Sequence, residues 1–286
     1  MPTLDATPDS RPEVALHYED TGGEGRPVVL IHGWPLSGAA WKDTVPALQQ
    51  AGYRVITYDR RGFGDSDKPL TGYSYDHLSD DLAGLLERLD LTDVTLVGFS
   101  MGGGEVARYV AREGESRLRS VVFASAVPPF MHQTGDNPDG PLSTGLATKM
   151  TAGLTANQAS FYDDFITQFF TAGDRLMVTE EQRQEALALT DKAAKPAALE
   201  CMAAFGFTDF RDDLTRVTVP TLVIHGDSDA TVPFEGSGAR THAAIPGSRL
   251  HVVEDGPHGI NVSHTDEFDR VLVDFLGEGG SGAASA

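Results

Sequence analysis

The amino-acid sequence predicts an α/β fold, with a mostly parallel central sheet flanked by helices and a helical cap inserted between two strands. Three observations lead to this prediction. Short apolar runs rich in β-branched residues recur along the chain, helical patterns separate them, and the alternation stops between residues 128 and 216. Alternating strands and helices are typical of a parallel sheet that is covered on both faces.

The apolar runs predict the strands of this sheet. They occupy residues 28–31, 94–97, 121–124, 222–224 and 250–253, and a further strand is predicted in RVITYD at 54–59. Runs of this length suit strands that are buried on both faces. Two amphipathic helices are predicted by apolar residues at helical spacing. These residues are Leu78, Leu82, Leu85, Leu86 and Leu89 in the first helix, and Phe268, Val271, Leu272, Phe275 and Leu276 in the second.

The chain is expected to form a core, a cap and a tail. A chain of 286 residues suits one folded body that carries a large insertion. Residues 128–216 contain segments that look helical and no good buried strand, so we expect a helical cap there and a core made of residues 1–127 and 217–276. Residues 277–286 are rich in Gly, Ser and Ala, which predicts a flexible tail.

Charge and hydropathy restrict the partners. The formal net charge of -20 argues against a nucleic-acid partner, because the phosphate backbone would be repelled. No apolar run is long enough to span a bilayer, so no membrane partner is expected. The N-terminus lacks the basic start and the apolar core of a secretory signal, and we therefore expect a cytoplasmic protein.

Residue types also restrict the cofactors. The single cysteine, Cys201, excludes an internal disulfide and a cysteine-rich metal site. No His, Asp or Glu residues cluster at metal-ligand spacing, and no G-x-G-x-x-G follows a strand. We expect neither a metal nor another cofactor.

The strongest local motif is G-x-S-x-G, formed by Gly98, Ser100 and Gly102 in VTLVGFSMGGGE. It directly follows a predicted strand and directly precedes a predicted helix. A serine on such a tight turn projects its hydroxyl where a substrate can reach it, and the small neighbours avoid collisions with the backbone. The motif predicts that Ser100 is a catalytic nucleophile.

A serine hydroxyl needs a base, and the best candidate among nine histidines is His258. It lies in the glycine-bracketed loop EDGPHGI, after the last predicted strand. His264 is expected near the first turn of the following helix, in an exposed or capping role. His225 and His251 lie within strand runs, which favours core histidines whose hydrogen bonds are satisfied.

The acid that orients the histidine is expected in HGDSDATVP, which offers Asp227 and Asp229. Asp229 lies deeper in the loop and is favoured, whereas Asp227 follows the strand so closely that it more readily caps the turn. The resulting order along the chain is Ser, Asp, His.

An oxyanion hole completes the predicted site. One backbone N–H is expected from Met101, the residue after the nucleophile. The second is expected from Trp34 in the loop HGWP, which follows an early strand, while His32 is expected to be structural.

Taken together, HGWP, DRRGFGDSDKP, GFSMGGGE, HGDSDATVP and GPHG resemble the α/β-hydrolase group of cofactor-free (non-heme) haloperoxidases, perhydrolases and aryl esterases. The resemblance extends from about Leu16 to Leu276. It implies the triad Ser100, Asp229 and His258. It also implies an acyl pocket in which five substrate-binding residues take part: Phe99, Val127, Met131, Phe161 and Phe165. Within the cap, packing onto the core is an equally good interpretation of the aromatic residues.

The same resemblance implies the reaction. An ester or carboxylic acid would acylate the serine, and water or hydrogen peroxide would attack the acyl-enzyme, with peracid and halogenation as consequences of peroxide attack. Relatives also commonly form homo-oligomers. Alternatives are a lactonase, a carbon–carbon bond hydrolase, a hydroxynitrile lyase or a ligand receptor of the same fold. A dehalogenase or epoxide hydrolase would need an aspartate at position 100.

Overall fold

The central sheet organises the molecule, and the computed structural model describes residues 3–5 and 14–278. Within these residues the strands are β1 (Thr3–Asp5), β2 (Ala15–Asp20), β3 (Pro27–Ile31), β4 (Arg54–Tyr58), β5 (Val94–Phe99), β6 (Leu118–Ala124), β7 (Thr171–Ala172), β8 (Arg175–Leu176), β9 (Thr221–Gly226) and β10 (Arg249–Val253). The order in the large sheet is β1-β2-β4-β3-β5-β6-β9-β10. In this sheet, neighbours along the order β4-β3-β5-β6-β9-β10 pair in parallel, while β1 pairs with β2 and β2 with β4 in antiparallel fashion. The predicted fold class is therefore confirmed.

Helices cover both faces of this sheet. In the described residues they are α1 (Thr44–Gln50), α2 (Tyr75–Arg88), α3 (Met101–Glu113), α4 (Thr144–Ala156), α5 (Gln158–Phe169), α6 (Glu180–Thr190), α7 (Lys195–Phe207), α8 (Arg211–Leu214), α9 (Gly238–Ala244), α10 (Ile260–Ser263) and α11 (Thr265–Glu278). Short 3-10 helices occupy Gly38–Trp41 and Phe234–Gly236. None of the described helices is both long and apolar enough to cross a bilayer.

Side chains of each central strand alternate between two apolar clusters, one on each face of the sheet. In β3, Val29 and Ile31 belong to the cluster that α2 and α3 cover, which we call the first cluster. Val28 and Leu30 belong to the second cluster, which includes apolar residues of α11. The two-residue period of a strand explains this division. In β5 it sends Phe99 into the second cluster, directly before Ser100.

The outer strand β10 differs from the sequence-based expectation. Its residues are largely exposed, since only Val253 is fully buried. His251 is therefore not a core histidine, and that expectation was wrong. Its Nε2 lies 2.7 Å from Glu267 Oε1 on α11. An edge strand leaves side chains accessible even where its sequence is apolar.

The segment between β6 and β9 contains α4 to α8 and the two-residue strands β7 and β8, which form a small hairpin. Helix α5 packs against α4 and α6, and α4 also packs against α7. Helix α8 instead packs against α3 and α9 of the core. That residues 128–216 form a separate cap domain stays a prediction. The last helix of this segment, α8, packs on the core.

The end of the chain differs from the predicted boundary in one respect. Helix α11 continues to Glu278, so Gly277 is helical and the tail predicted from residue 277 begins too early. Helical hydrogen bonding carries the chain past the last apolar residue of the pattern. Residues 279–286 of the predicted tail lie outside the described residues.

Candidate active site

Ser100 lies at the turn between β5 and α3, with φ 55° and ψ −118°. A positive φ is costly for a residue with a side chain, so the surrounding structure must hold it. Two backbone hydrogen bonds do so: Ser100 N donates to Ala124 O at 2.8 Å, and Val127 N donates to Ser100 O at 3.2 Å. Both tie the turn to the end of β6.

The glycines of the motif permit a close approach of three backbone segments. A Cβ at Gly98 would lie 2.5 Å from the carbonyl oxygen of Gly102. One at Gly102 would lie 2.7 Å from the carbonyl oxygen of Ile31. Neither position can therefore carry a side chain, which explains the G-x-S-x-G spacing.

His258 lies within hydrogen-bond distance of both predicted partners. Its Nε2 is 2.9 Å from Ser100 Oγ, and its Nδ1 is 2.7 Å from Asp229 Oδ2. A carboxylate only accepts, so Nδ1 carries the proton and Nε2 is left to accept the proton of the serine hydroxyl. The structure thus brings together the three residues predicted as a triad.

The loop that carries His258 is attached to the cap. Gly259 N donates to Phe169 O at 2.9 Å, and the Phe169 ring centroid lies 4.8 Å from that of His258 in an edge contact. A Cβ at Gly259 would lie 2.3 Å from Phe170 Cε1. Residues of α5 and its C-terminal end therefore fix the position of the imidazole.

Asp229 is fully buried and is held by four hydrogen-bond donors. Its Oδ1 accepts from Thr231 N at 2.9 Å and from Val232 N at 2.7 Å, while its Oδ2 accepts from His258. Burial of the carboxyl raises its pKa, but the charge of His258 and the hydrogen bonds from His225 and His258 outweigh it and lower the pKa to about 2. Asp229 is therefore ionised at neutral pH.

Asp227 is exposed and accepts a hydrogen bond from the Ser228 hydroxyl at 3.0 Å. Its backbone N donates to Val253 O at 3.1 Å, at the end of the neighbouring strand. The structure thus places Asp229, not Asp227, against the histidine.

His225 supplies the fourth donor, which the sequence analysis did not assign. Its imidazole is fully buried, as expected for a core histidine. However, Nε2 lies 2.8 Å from Val232 O and 3.2 Å from Asp229 Oδ2. Both atoms only accept, so Nε2 carries the proton and donates to them. The i,i+4 spacing of His225 and Asp229 across a turn was the available signal.

Trp34 and Met101, whose backbone N–H groups are the predicted oxyanion donors, belong to the loop after β3 and to the first turn of α3. Within the described residues, the backbone N–H groups of Trp34 and Met101 have no acceptor in the protein. Trp34 is buried, and its indole Nε1 donates to Ala198 O in α7 at 3.1 Å. A Cβ at Gly33 would lie 3.0 Å from Ser100 Cβ, which shows how closely this loop approaches the serine.

A buried polar network holds the Trp34 loop. His32 Nε2 accepts from Arg60 N at 3.0 Å, and Arg60 forms a fully buried ion pair with Glu105 of α3. Burial and the neighbouring charge of Arg60 lower the pKa of His32 well below its usual value, so its ring is neutral. This geometry fits the expected structural role of His32.

The predicted substrate-binding residues separate into two groups. Phe161 and Phe165 of α5 lie against Trp34, with ring centroids 6.2 and 5.0 Å away. Val127 and Met131 are buried in the same first cluster as Trp34. Phe99 lies in the second cluster instead, with its ring centroid 5.2 Å from that of His258.

The structure adds aromatic residues that the sequence analysis did not assign to the site. Phe205 of α7 and Tyr162 of α5 contact the Trp34 indole, with centroid distances of 5.7 and 5.8 Å. Phe169 contacts His258 and also belongs to the helical row of Phe161 and Phe165. That row was the signal for Phe169, whereas nothing in the sequence ties Phe205 to Trp34.

A cavity of about 370 Å³ lies beside these residues, between the core and α6. Of the residues predicted to bind substrate, Phe99 lines it, whereas none of the three triad residues does.

A separate cluster of side chains, His17, Asp59 and Asp65, places three potential metal ligands within 4.8 Å of one another. Asp59 accepts from two backbone N–H groups and Asp65 pairs with Lys192, so both carboxylates already have protein partners.

Comparison with known proteins places the chain in a family. Residues 26–265 match the family profile described as alpha/beta hydrolase fold. The chain is 43% identical over 272 residues to a non-heme chloroperoxidase of Kitasatospora aureofaciens, covering 93% of this chain and 98% of that protein. It is 34% identical over 266 residues to a bifunctional esterase/perhydrolase of Acinetobacter calcoaceticus, covering 92% and 96%.

Among solved structures, the bromoperoxidase from Bacillus anthracis superimposes with a TM-score of 0.92 at 50% identity, covering 96% of this chain and 99% of that one. The resemblance inferred from the motifs is confirmed. The chain therefore belongs to the alpha/beta hydrolase family of enzymes, among relatives named as non-heme haloperoxidases and as an esterase/perhydrolase.

Proposed function

We propose that the protein is a serine hydrolase that cleaves carboxylic esters through an acyl-enzyme. The observation that carries this proposal is the continuous hydrogen-bonded chain from Ser100 Oγ through His258 to Asp229. A serine on a strained turn, a base at 2.9 Å and an oriented acid are the parts that acyl transfer requires.

The first half of the reaction forms the acyl-enzyme. Ser100 Oγ bonds to the carbonyl carbon of the ester while its proton passes to His258 Nε2. The N–H groups of Trp34 and Met101 donate to the oxygen that becomes negative. The carbon–oxygen bond to the alcohol then breaks, and His258 returns the proton to the departing oxygen.

The second half removes the acyl group. Water attacks the acyl carbon, His258 accepts its proton and passes it to Ser100 Oγ, and a carboxylic acid leaves. Hydrogen peroxide can replace water, and the product is then a peroxycarboxylic acid. The peracid transfers one oxygen to bromide and becomes the carboxylate, so that hypobromous acid forms away from the protein. The names of the relatives support this second activity.

We assign the acyl group to the side of Ser100 that Trp34 occupies. Phe161, Phe165 and Phe205 surround the Trp34 indole, and Val127 and Met131 lie in the same apolar cluster. Apolar and aromatic walls beside an oxyanion hole suit an acyl chain or an aryl group.

Replacing Ser100 with Ala tests the proposal. We expect loss of ester hydrolysis on an aryl acetate and loss of acetate-dependent bromination of a dye by peroxide, with an unchanged melting temperature. Activity that survives in the purified variant would exclude Ser100 as the nucleophile. A single burst of product in the wild-type protein, without further turnover, would instead indicate a ligand receptor.

A further inference from the structure

The peptide group between Gly33 and Trp34 carries one of the two N–H groups that we assign to the oxyanion hole. This peptide is trans and planar, so its C=O and N–H point in opposite directions, and whatever fixes the oxygen also fixes the N–H. The oxygen of Gly33 accepts two hydrogen bonds, from Leu36 N at 3.0 Å and from His32 Nδ1 at 2.9 Å. The His32 ring therefore holds the opposite end of the peptide group that donates to the substrate.

The tautomer of His32 follows from its other contacts. Its Nε2 lies 3.0 Å from the backbone N of Arg60, which only donates, so Nε2 is the accepting nitrogen. The ring is neutral because burial and the charge of Arg60 lower its pKa, and it therefore carries its proton at Nδ1. Arg60 Nη1 lies 3.4 Å from Nδ1, but a guanidinium cannot accept, so the proton goes to Gly33 O.

A buried ion pair fixes the position of Arg60. Arg60 and Glu105 are 1% and 0% exposed, and the guanidinium donates to one carboxylate oxygen of Glu105. Tyr58 Oη donates to the other carboxylate oxygen at 2.6 Å. Arg60 Nη2 also donates to the backbone oxygen of His32 at 2.6 Å. Arg60 thus binds His32 at two points, the ring through its backbone N and the carbonyl through its side chain.

The same ion pair connects the two sides of the predicted oxyanion hole. Glu105 lies in α3, four residues after Met101, whose N–H is the other predicted donor. Arg60 lies in the loop after β4 and reaches the Trp34 loop through His32. Two donors stabilise an oxyanion only when both point at the position of one oxygen atom. A fixed connection between the loop and the helix meets this requirement.

We propose that His32 is a positioning residue that directs the N–H of Trp34 into the oxyanion hole. The ion pair of Arg60 and Glu105 holds the His32 ring in the tautomer and orientation that this role requires. The hydrogen bond to Gly33 O also polarises the peptide group, which strengthens its N–H as a donor. This inference rests on the proposed acyl transfer and extends the structural role expected for His32 to the reaction itself.

Two substitutions of His32 test the donor at Nδ1. The side-chain amide of Asn can place an N–H near the position of Nδ1, whereas Leu has no donor. We expect His32→Leu to lower kcat for an aryl acetate by about 10-fold or more, with KM within about twofold. His32→Asn should recover most of the lost kcat. Equal kcat values in His32→Leu and the wild-type protein would overturn the inference, and so would equal losses in both variants.

A ligand that forms an oxyanion without turnover gives a direct measurement. Ser100 Oγ adds to the carbonyl carbon of 2,2,2-trifluoroacetophenone, the electron pair of the C=O bond moves to the oxygen, and the serine proton passes to His258. We expect its Kd, measured by calorimetry, to rise in His32→Leu by the factor that kcat/KM falls. The Kd of acetophenone, which stays planar, should change by less than about twofold. An unchanged Kd for the trifluoro ketone, or an equal rise for both ketones, would contradict the role.

Glu105→Gln tests the ion pair, and Asp81→Asn is its matched control. Arg61 and Asp81 form a second buried ion pair, in which Arg61 donates to Asp81 and to Gly72 O. Both variants neutralise a buried acid and should lower the melting temperature. We expect only Glu105→Gln to lower kcat and to weaken binding of the trifluoro ketone, each by about fivefold or more. Equal kcat values in the two variants would overturn the role of the ion pair.

A milder variant keeps this test valid if Glu105→Gln does not fold. Tyr58→Phe removes only the hydroxyl that donates to Glu105. We expect kcat and the affinity for the trifluoro ketone to fall together by about twofold or more, and unchanged values would overturn the role of the pair.

The inference and the proposed function can fail separately. If the wild-type protein hydrolysed no aryl acetate, the proposed function would fail, and calorimetry with the trifluoro ketone would still decide on His32. Tighter binding to the wild-type protein than to His32→Leu would support the positioning role. Equal binding to both proteins, or no binding to the wild-type protein, would overturn it.

Discussion

Asp227 and Asp229 show how two residues of the same type in one loop differ in environment. Asp229 is buried and its pKa is lowered to about 2, while Asp227 is exposed. We expect Asp229→Asn to lower kcat for an aryl acetate by roughly 10³-fold or more, because the amide cannot hold the same histidine tautomer. We expect Asp227→Asn to change it by less than about twofold. Steady-state kinetics of both variants decides the matter, and the reverse order would refute the assignment.

From the structure, we expect His225 to act as a positioning residue for Asp229. Its Nε2 donates to both Asp229 Oδ2 and Val232 O, which fixes the loop that carries the acid. We expect His225→Leu to lower kcat about 10-fold with little change in KM, since the acid loses a donor and its orientation.

His225→Gln is the matched control because a side-chain amide can place an N–H near the position of Nε2. It should recover most of the lost kcat. Equal kcat values in His225→Leu and the wild-type protein would contradict the positioning role, and equal losses in both variants would indicate a packing effect alone.

At the scale of elements, α11 contains the buried acid Asp269, whose raised pKa is expected to lower the stability of the folded protein at neutral pH. Burial of Asp269, together with the charges of Asp266 and Asp43, raises its pKa to about 6, although the nearby Thr44 hydroxyl lowers it. A carboxyl with a raised folded pKa costs stability above that value, and the cost disappears as the pH falls toward its unfolded pKa of about 3.9.

We therefore expect Asp269→Asn to increase the free energy of unfolding at pH 7 by about 1–2 kcal/mol, after a discount for solvent screening. Most of the gain should be lost near pH 4, where the carboxyl is protonated in the folded protein and about half ionised in the unfolded chain. Asp274→Asn, at an exposed position of the same helix, is the control. Urea titrations at both pH values measure the effect, and a gain that is independent of pH would point to packing instead.

The strands show which elements a sequence pattern can predict. The apolar runs correspond to β3, β5, β6, β9 and β10, and RVITY of the predicted run 54–59 forms β4. The antiparallel strand β2 was not predicted. In β2, buried side chains alternate with partly exposed ones. So short a mixture of polar and apolar residues cannot be distinguished from the sequence of a loop.

At the scale of the whole molecule, the formal net charge of -20 affects stability. Mutual repulsion of like charges destabilises the compact state, and salt screens it over about 10 Å at 0.1 M. We expect the melting temperature at pH 7 to rise when sodium chloride is increased from about 10 mM to about 200 mM. Sucrose is the control for a non-ionic effect. A melting temperature that falls with salt would show that the surface ion pairs outweigh the repulsion.

The sequence by itself determined the fold class and the residues of the candidate triad. The inferences depend on local features: strand periodicity, glycines beside a serine, and a histidine in a glycine-bracketed loop. The order of these features along the chain restricts the folds and catalytic sites that they can form. The sequence could also favour Asp229 over Asp227 by position in the loop. None of these inferences required a contact between distant segments to be known.

Only the tertiary structure decided which distant residues meet around those local features. Phe205 lies against Trp34 although no pattern in the chain connects them. The i,i+4 spacing of His225 and Asp229 makes a contact possible, but only the structure shows that His225 donates to the acid. The cavity beside Phe99 likewise exists only because α6 packs over the core. Such contacts depend on how helices and loops that are distant in the sequence pack together. Residue spacing within one segment does not predict that packing.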